Sequence, residues 1–163
     1  MNLPDDIANL IKGDVADDAE TLAKYSRDTS IFERRPALVV FPKSADDVVK
    51  IVKYVAEART RGENISIAAR AAGTDMTGGP LTDSIALVFT KYMNQVLGVE
   101  SDEASAEAGT YYRDFEKATL AKTGKLLPPY PASREQAAIG GMIANNAGGE
   151  LTLRFGKLDR FVR

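Results

Sequence analysis

The residues Ala138-Ile139-Gly140-Gly141-Met142-Ile143-Ala144-Asn145-Asn146-Ala147-Gly148-Gly149 hold two Gly-Gly doublets around a small apolar run and an Asn pair. Inside a regular element each glycine costs roughly 0.5–1 kcal/mol against alanine. Such density points to backbone that must turn with φ > 0, or lie against something with no Cβ in the way. A bound ligand is the expected neighbour, and no ordinary strand or helix is expected here. A second run, Arg70-Ala71-Ala72-Gly73-Thr74-Asp75-Met76-Thr77-Gly78-Gly79-Pro80, follows a strand-like segment. Successive N–H groups in such a turn can form an anion-binding nest, and the carboxyl end of a parallel strand is where open α/β sheets bind ligands. The run is neither a P-loop nor the dinucleotide G-x-G-x-x-G, because no Gly-Lys-Ser/Thr follows and the glycine spacing is wrong. Taken alone, a tight structural turn fits it as well as a phosphate site does.

Residue types exclude other chemistry. The 163 residues include no Cys and no His, so there is no thiolate nucleophile, no imidazole base and no metal site built on either. A catalyst built here takes its chemistry from a cofactor or from residues beyond Arg163. A net charge of −2 argues against a nucleic-acid partner. The N-terminus lacks the basic and apolar regions of a signal peptide, and no apolar run reaches transmembrane length. The expected location is the cytoplasm, with attachment to a membrane-bound partner left open.

The positioning elements follow from pattern. Leu3 to Lys12 reads as a short helix stopped by Gly13. Asp17-Asp18-Ala19-Glu20 is capping-box-like and opens a second short helix. Tyr25 to Ser30 reads as a polar surface loop. Ala37 to Phe41 is a continuous apolar run of the kind buried on both sheet faces. Ser44 caps a helix with Val48, Ile51, Val52 and Val55 at helical spacing and Gly62 at its end. Ile65 to Ala69 is the next strand, and strand–helix–strand predicts a right-handed βαβ unit with parallel strands. Ile85 to Phe89 is a third buried strand. Val96 to Glu100 and Ala104 to Gly109 are shorter strands joined by a polar turn. Thr110 is placed to cap a helix to about Lys122, with Tyr111, Phe115 and Ala118 on one face. Leu126 to Ser133 is stiffened by three prolines and reads as extended.

In order, the motifs are Tyr25-Ser26-Arg27-Asp28, Pro36 to Pro42, the capped helix, Arg70 to Gly79, Glu107-Ala108-Gly109, Pro128-Pro129-Tyr130-Pro131, Ile139 to Gly149, and Arg154-Phe155-Gly156. This series resembles the FAD-binding domain of the vanillyl-alcohol oxidase / para-cresol methylhydroxylase flavoproteins. It is most similar to the branch of D-lactate dehydrogenase and the glycolate oxidase FAD subunit. The resemblance covers roughly residues 18 to 163; each motif alone is soft, and their order is specific.

The resemblance implies an α+β, two-subdomain FAD-binding domain. A small parallel βαβ subdomain (about 36–92) precedes a mostly antiparallel α+β subdomain (about 93–163, incomplete), after an N-terminal helical segment (1–35). It implies that Arg70, Ala71, Ala72, Gly73 and Thr74 wrap the FAD pyrophosphate, with Gly78 and Gly79 close by. Pro131, Ala132, Ser133, Ile139, Gly140 and Gly141 are assigned to the ribityl chain and flavin ring, and Ile143 to the cofactor site. Asn146, Ala147, Gly148 and Gly149 complete the pocket. Where relatives carry more glycine, Ala71 and Ala72 stand here, which restricts those positions to negative φ. Lacking His and Cys, the chain is expected to hold FAD non-covalently. The implied activity is a dehydrogenase oxidising a 2-hydroxy acid such as D-lactate or glycolate. No catalytic residue is nominated, Tyr130 reading as a packed aromatic. The substrate part is expected outside this chain, which reads as an N-terminal fragment completed by a C-terminal portion or a partner chain. The alternative is a non-catalytic binding or assembly module that retains the fold.

Overall fold

The computed structural model describes residues 2–163. Its first subdomain is a sheet of order β1-β2-β4-β3, in which β2 (Leu38–Phe41), β4 (Ile85–Val88) and β3 (Ile67–Arg70) run parallel and β1 (Asp14–Ala16) is an antiparallel edge. Every residue of β2 and β4 is buried, as unbroken apolar runs require. Alternation sends Leu38, Val40, Ile85 and Leu87 to one face, against Ile7 of α1 (Leu3–Leu10) and Ile51 and Val55 of α3 (Ala45–Thr60). Val39, Phe41, Ala86 and Val88 face the other way, against Leu22 of α2 (Ala19–Lys24).

The expected parallel unit is present with one addition: β4 lies between β2 and β3. Ser44 caps α3 through the Asp47 N–H, and Gly62 ends it at φ +85°. Val52 points outward and Ala58 takes its place in the buried face. The sequence reading places no strand in the first 35 residues, yet β1 pairs with β2 and ties that segment into the sheet. Asp18, one position later than expected, caps α2 by accepting from the Thr21 N–H.

The second subdomain begins with the antiparallel hairpin β5 (Val96–Val99) and β6 (Ala104–Ala106). The helix α4 (Tyr112–Thr123) starts later than expected, because the Thr110 hydroxyl is spent on the Gln95 carbonyl at 3.0 Å and Tyr111 occupies the N-cap. Its buried face is therefore Tyr112, Phe115, Glu116 and Thr119, while Tyr111 is exposed. The core joins Tyr112 and Phe115 to Tyr130, Ala137, Ile139, Met142, Ala147 and Leu158. Two short helices follow, α5 (Ile139–Ala144) and α6 (Thr152–Phe155), then a 3-10 turn, Leu158–Arg160. This is the expected two-subdomain α+β architecture.

One buried carboxylate fastens the first subdomain. Asp47 is 0% exposed, and its oxygens accept from the Lys12 N–H at 3.0 Å and the Lys43 N–H at 2.9 Å. Asp47→Ala strands both donors, so urea unfolding should show a loss of about 2–4 kcal/mol.

Candidate functional site

Strand β3 ends at Arg70, opposite Val88, and the chain turns into the loop 71–79. Positive φ falls on Gly73 (+74°) and Gly78 (+80°), so Ala71 and Ala72 take conformations open to any L-residue. The backbone N–H groups of Ala71, Ala72, Gly73 and Thr74 meet no acceptor among the described residues. Successive free donors in a turn beside a strand end make an anion cradle.

Arg70 lies beneath this cradle. It is 7% exposed, so the side chain belongs to the interior. Its Nη2 donates to the Arg27 carbonyl at 2.6 Å, its guanidinium sits 5.4 Å from the Tyr25 ring centroid, and its Nη1 is buried without a partner among the described residues. A Cβ at Gly73 would fall 2.4 Å from Arg70 Nη2; the loop backbone therefore rests directly on the guanidinium. Burial pushes the Arg70 pKa down, against the opposing pull of Asp28. Asp28 Oδ2 is also buried without a partner, while its Oδ1 accepts from the Ser30 N–H at 2.8 Å.

The segment Tyr25 to Ser30 is thus no free surface loop. Ser26 is buried, Arg27 braces Arg70, and Thr29 gives the Asp75 carbonyl both its N–H (3.2 Å) and its hydroxyl (2.8 Å). The sequence reading misses this because the partners lie more than forty residues downstream. The only local sign was a dense run of side chains able to bond backbone.

The opposite wall is α5, and here the expectation of irregular chain fails: Gly140 and Gly141 lie inside a short helix. Tertiary contact outweighs their poor propensity. A Cβ on Gly140 would come 2.8 Å from the Ala108 carbonyl oxygen, which accepts the Gly140 N–H at 2.8 Å. Helix and strand end therefore meet backbone to backbone. Gly141 faces outward, its Cβ position 3.7 Å from Ala71 Cβ, and its N–H has no acceptor among the described residues. The Asn145 amide at the helix end donates to Asp75 Oδ1 at 3.2 Å. The hydrogen bond joins the two glycine runs, and the bare face of Gly141 lies within a methyl's reach of Ala71.

The remaining assigned residues pack on one another. A Cβ on Gly149 would overlap the Tyr130 carbonyl oxygen at 2.1 Å, and one on Gly148 would meet Thr152 Oγ1 at 2.5 Å. Both of those spaces are filled by protein. The Gly149 N–H donates to Thr152 Oγ1 at 2.7 Å. Asn146 adopts φ +44°, and its Oδ1 accepts from the Asp159 N–H at 2.9 Å. Ala147 is buried and bonds Met142 and Leu158. The chain turns at Pro131, Ala132 and Ser133, and the N–H groups of Ala132 and Ser133 are free of acceptors among the described residues. Ile139 is buried and Ile143 exposed. The Tyr130 ring packs 5.5 Å from that of Tyr112, with its hydroxyl on Glu150.

Gly79 gives its N–H to Asp75 Oδ2 at 2.9 Å. The Thr77 hydroxyl foremost, with the Gly79 and Thr77 N–H groups and Asn145, holds the Asp75 carboxyl below its usual range. A solvent-open hollow of about 430 Å³ lies elsewhere, lined by Asn94, Gln95, Val96, Tyr111 and Asp114. Its outward-facing residues include none of the free donors. No group of three or more acidic residues suited to a metal occurs among the described residues.

Residues 36–163 match the family model described as FAD binding domain. The chain belongs to that family. Among curated relatives of this FAD binding domain, a D-2-hydroxyglutarate dehydrogenase of Pseudomonas putida is 31% identical over 90% of this chain and 14% of its own length. The glycolate oxidase subunit GlcD of Bacillus subtilis is 32% identical over 85% of this chain and 29% of its own. A D-lactate dehydrogenase of Archaeoglobus fulgidus is 31% identical over 77% and 27%. The chain thus spans between 14% and 29% of the length of these relatives. Among solved structures, alkyldihydroxyacetonephosphate synthase superposes with a TM-score of 0.75 at 22% identity, over 90% of this chain and 29% of that one. The 6-hydroxy-D-nicotine oxidase of Arthrobacter nicotinovorans gives 0.70 at 26% identity, over 90% and 31%. The first likeness is one of fold.

The two kinds of glycine separate in a stability measurement. Gly73→Ala meets both positive φ and the Arg70 guanidinium, and should lose about 1–3 kcal/mol in urea titration. Gly141→Ala adds a methyl at ordinary contact distance within a helix, and should be neutral or gain up to about 1 kcal/mol.

Proposed function

We propose that this chain is the FAD-holding portion of a flavin-dependent oxidoreductase acting on the CH–OH group of a 2-hydroxy acid such as D-lactate or glycolate. One observation carries the reading: a run of backbone donors, Ala71 to Thr74, without acceptors among the described residues, set over a buried arginine with a nitrogen that has no partner among them. A pyrophosphate has the charge and the acceptors that such a cradle lacks. The names of the relatives supply the substrate class.

In this reading Arg70, Ala71, Ala72, Gly73 and Thr74 hold the pyrophosphate, with Gly78 beside them and Gly79 shaping the turn. Gly141, Ile143 and the free N–H groups of Ala132 and Ser133 face the ribityl chain and flavin. Gly140, Ile139, Pro131 and Asn146 to Gly149 fix that wall from behind. Bound FAD supplies a hydride acceptor at flavin N5, and the protein supplies placement. Residues that bind the hydroxy acid and take its proton lie in a further portion or partner chain, a reading supported by the short span of the relatives covered here. FAD is held without a covalent bond, consistent with the absence of His and Cys. The proposed location is the cytoplasm, free or attached to a membrane through a partner; no helix among the described residues is long and apolar enough to cross one.

A second reading, an assembly module without catalysis, draws on the exposed Ile31, Met76 and Leu153. Flavin titration separates the two. The oxidoreductase reading expects the purified protein to take up FAD with quenched flavin fluorescence and to release all of it on denaturation. Adding D-lactate, glycolate or D-2-hydroxyglutarate to the full enzyme should bleach the flavin band. A colourless full-length protein that takes up no FAD would sink it. Gly141→Ala should fold normally and weaken FAD about tenfold, or roughly 1.4 kcal/mol.

A further inference from the structure

Asp75 stands where three segments meet. Its Oδ2 accepts from the Thr77 N–H at 3.2 Å, the Thr77 hydroxyl at 2.5 Å and the Gly79 N–H at 2.9 Å. Its Oδ1 accepts from the Asn145 amide of α5 at 3.2 Å. Its carbonyl receives both donors of Thr29, from the segment that also braces Arg70. A Cβ on Gly79 would lie 3.0 Å from Asp75 Oδ2, so the carboxylate sits directly over that residue. In the second half of the glycine loop Asp75 takes the Thr77 and Gly79 donors, while the N–H groups of Ala71 to Thr74, like those of Asp75, Met76 and Gly78, meet no acceptor among the described residues.

We infer that Asp75 is a positioning residue: it takes up the Thr77 and Gly79 donors, fastens the loop to the end of α5 through Asn145, and so sets the spacing of the two segments while leaving the Ala71 to Thr74 donors open. The inference rests on the reading above only in assigning those open donors to a cofactor phosphate. A methyl added at Gly141 would reach van der Waals contact with Ala71, so the two segments run close there, and the hydrogen bond from Asn145 to Asp75 ties them together one turn further on. Preorganised sites need this kind of support behind the groups that touch the ligand. A carboxylate has lone pairs enough for all four donors at once. The deprotonated form is the one that accepts from every side, and those same donors hold the carboxyl below its usual range.

The test uses Asp75→Ala, Asn145→Ala, the double variant and Asp75→Asn. In the flavin-free protein, Asp75→Ala should speed amide exchange at Thr77 and Gly79 at least tenfold, with the β2 and β4 amides unchanged. Asn145→Ala should leave the Thr77 and Gly79 amides protected. Each single alanine variant should weaken FAD binding several-fold, and the Asn145→Ala effect should vanish in the Asp75→Ala background. Asp75→Asn keeps an oxygen for the loop donors and an amide that can pair with Asn145 after an amide flip, and should recover most of both losses. Unchanged exchange in Asp75→Ala, additive effects on FAD affinity, or an Asp75→Asn variant as impaired as Asp75→Ala would each overturn the assignment. Should the wild-type protein take up no FAD, the proposed function fails. The positioning role of Asp75 is then judged by the exchange data and by the same cycle read on the unfolding midpoint.

Discussion

Two strands that water never reaches determine this structure. Because β2 and β4 are buried on both faces, helices must cover both sides of the sheet, and consecutive parallel strands must be joined by a crossover. The crossover is α3, and β3 takes the outer position beyond β4. From there the chain leaves the carboxyl end of the sheet with its backbone donors unspent. The cradle is thus a consequence of where a parallel strand must stop. A hairpin could not supply it, since its turn returns the chain at once to a ladder that consumes the N–H groups.

Legibility follows the same physics. The parallel unit could be read because Leu38 to Phe41 and Ile85 to Val88 are unbroken apolar runs and Ser44 is a strong cap. The family could be read because soft motifs recur in a fixed order. The start of α4 could not, since Thr110 has a cap-like side chain whose partner, Gln95, is fifteen residues back. Nor could α5 be read as a helix: local propensity speaks against Gly140 and Gly141, and the contact with Ala108 that overrides it comes from a remote segment. The burial of Arg70 could not be read, because nothing near it in sequence announces Arg27 and Tyr25 as its lining.

Glycine density alone mixes two demands. Gly140 and Gly149 serve the protein's own carbonyls, those of Ala108 and Tyr130. Gly73 and Gly141 border the proposed cofactor site, one by its turn and one by its bare face. The distinction matters for reading such motifs elsewhere: a glycine beside a binding site is often there so that two pieces of backbone can touch, and the ligand inherits the shape they make.

The buried guanidinium nitrogen of Arg70 has a consequence for the protein's life in solution. A desolvated cation without its full set of acceptors weighs against the folded state, and in the proposed function the cofactor pyrophosphate that reaches it binds the native form alone. Ligand and folding are then linked, so the folded fraction rises with ligand concentration relative to its dissociation constant. For a protein held near the margin of stability, that linkage makes survival against proteolysis depend on supply of the bound molecule. Chains that go unfilled would be the ones removed, a form of quality control written into a single side chain.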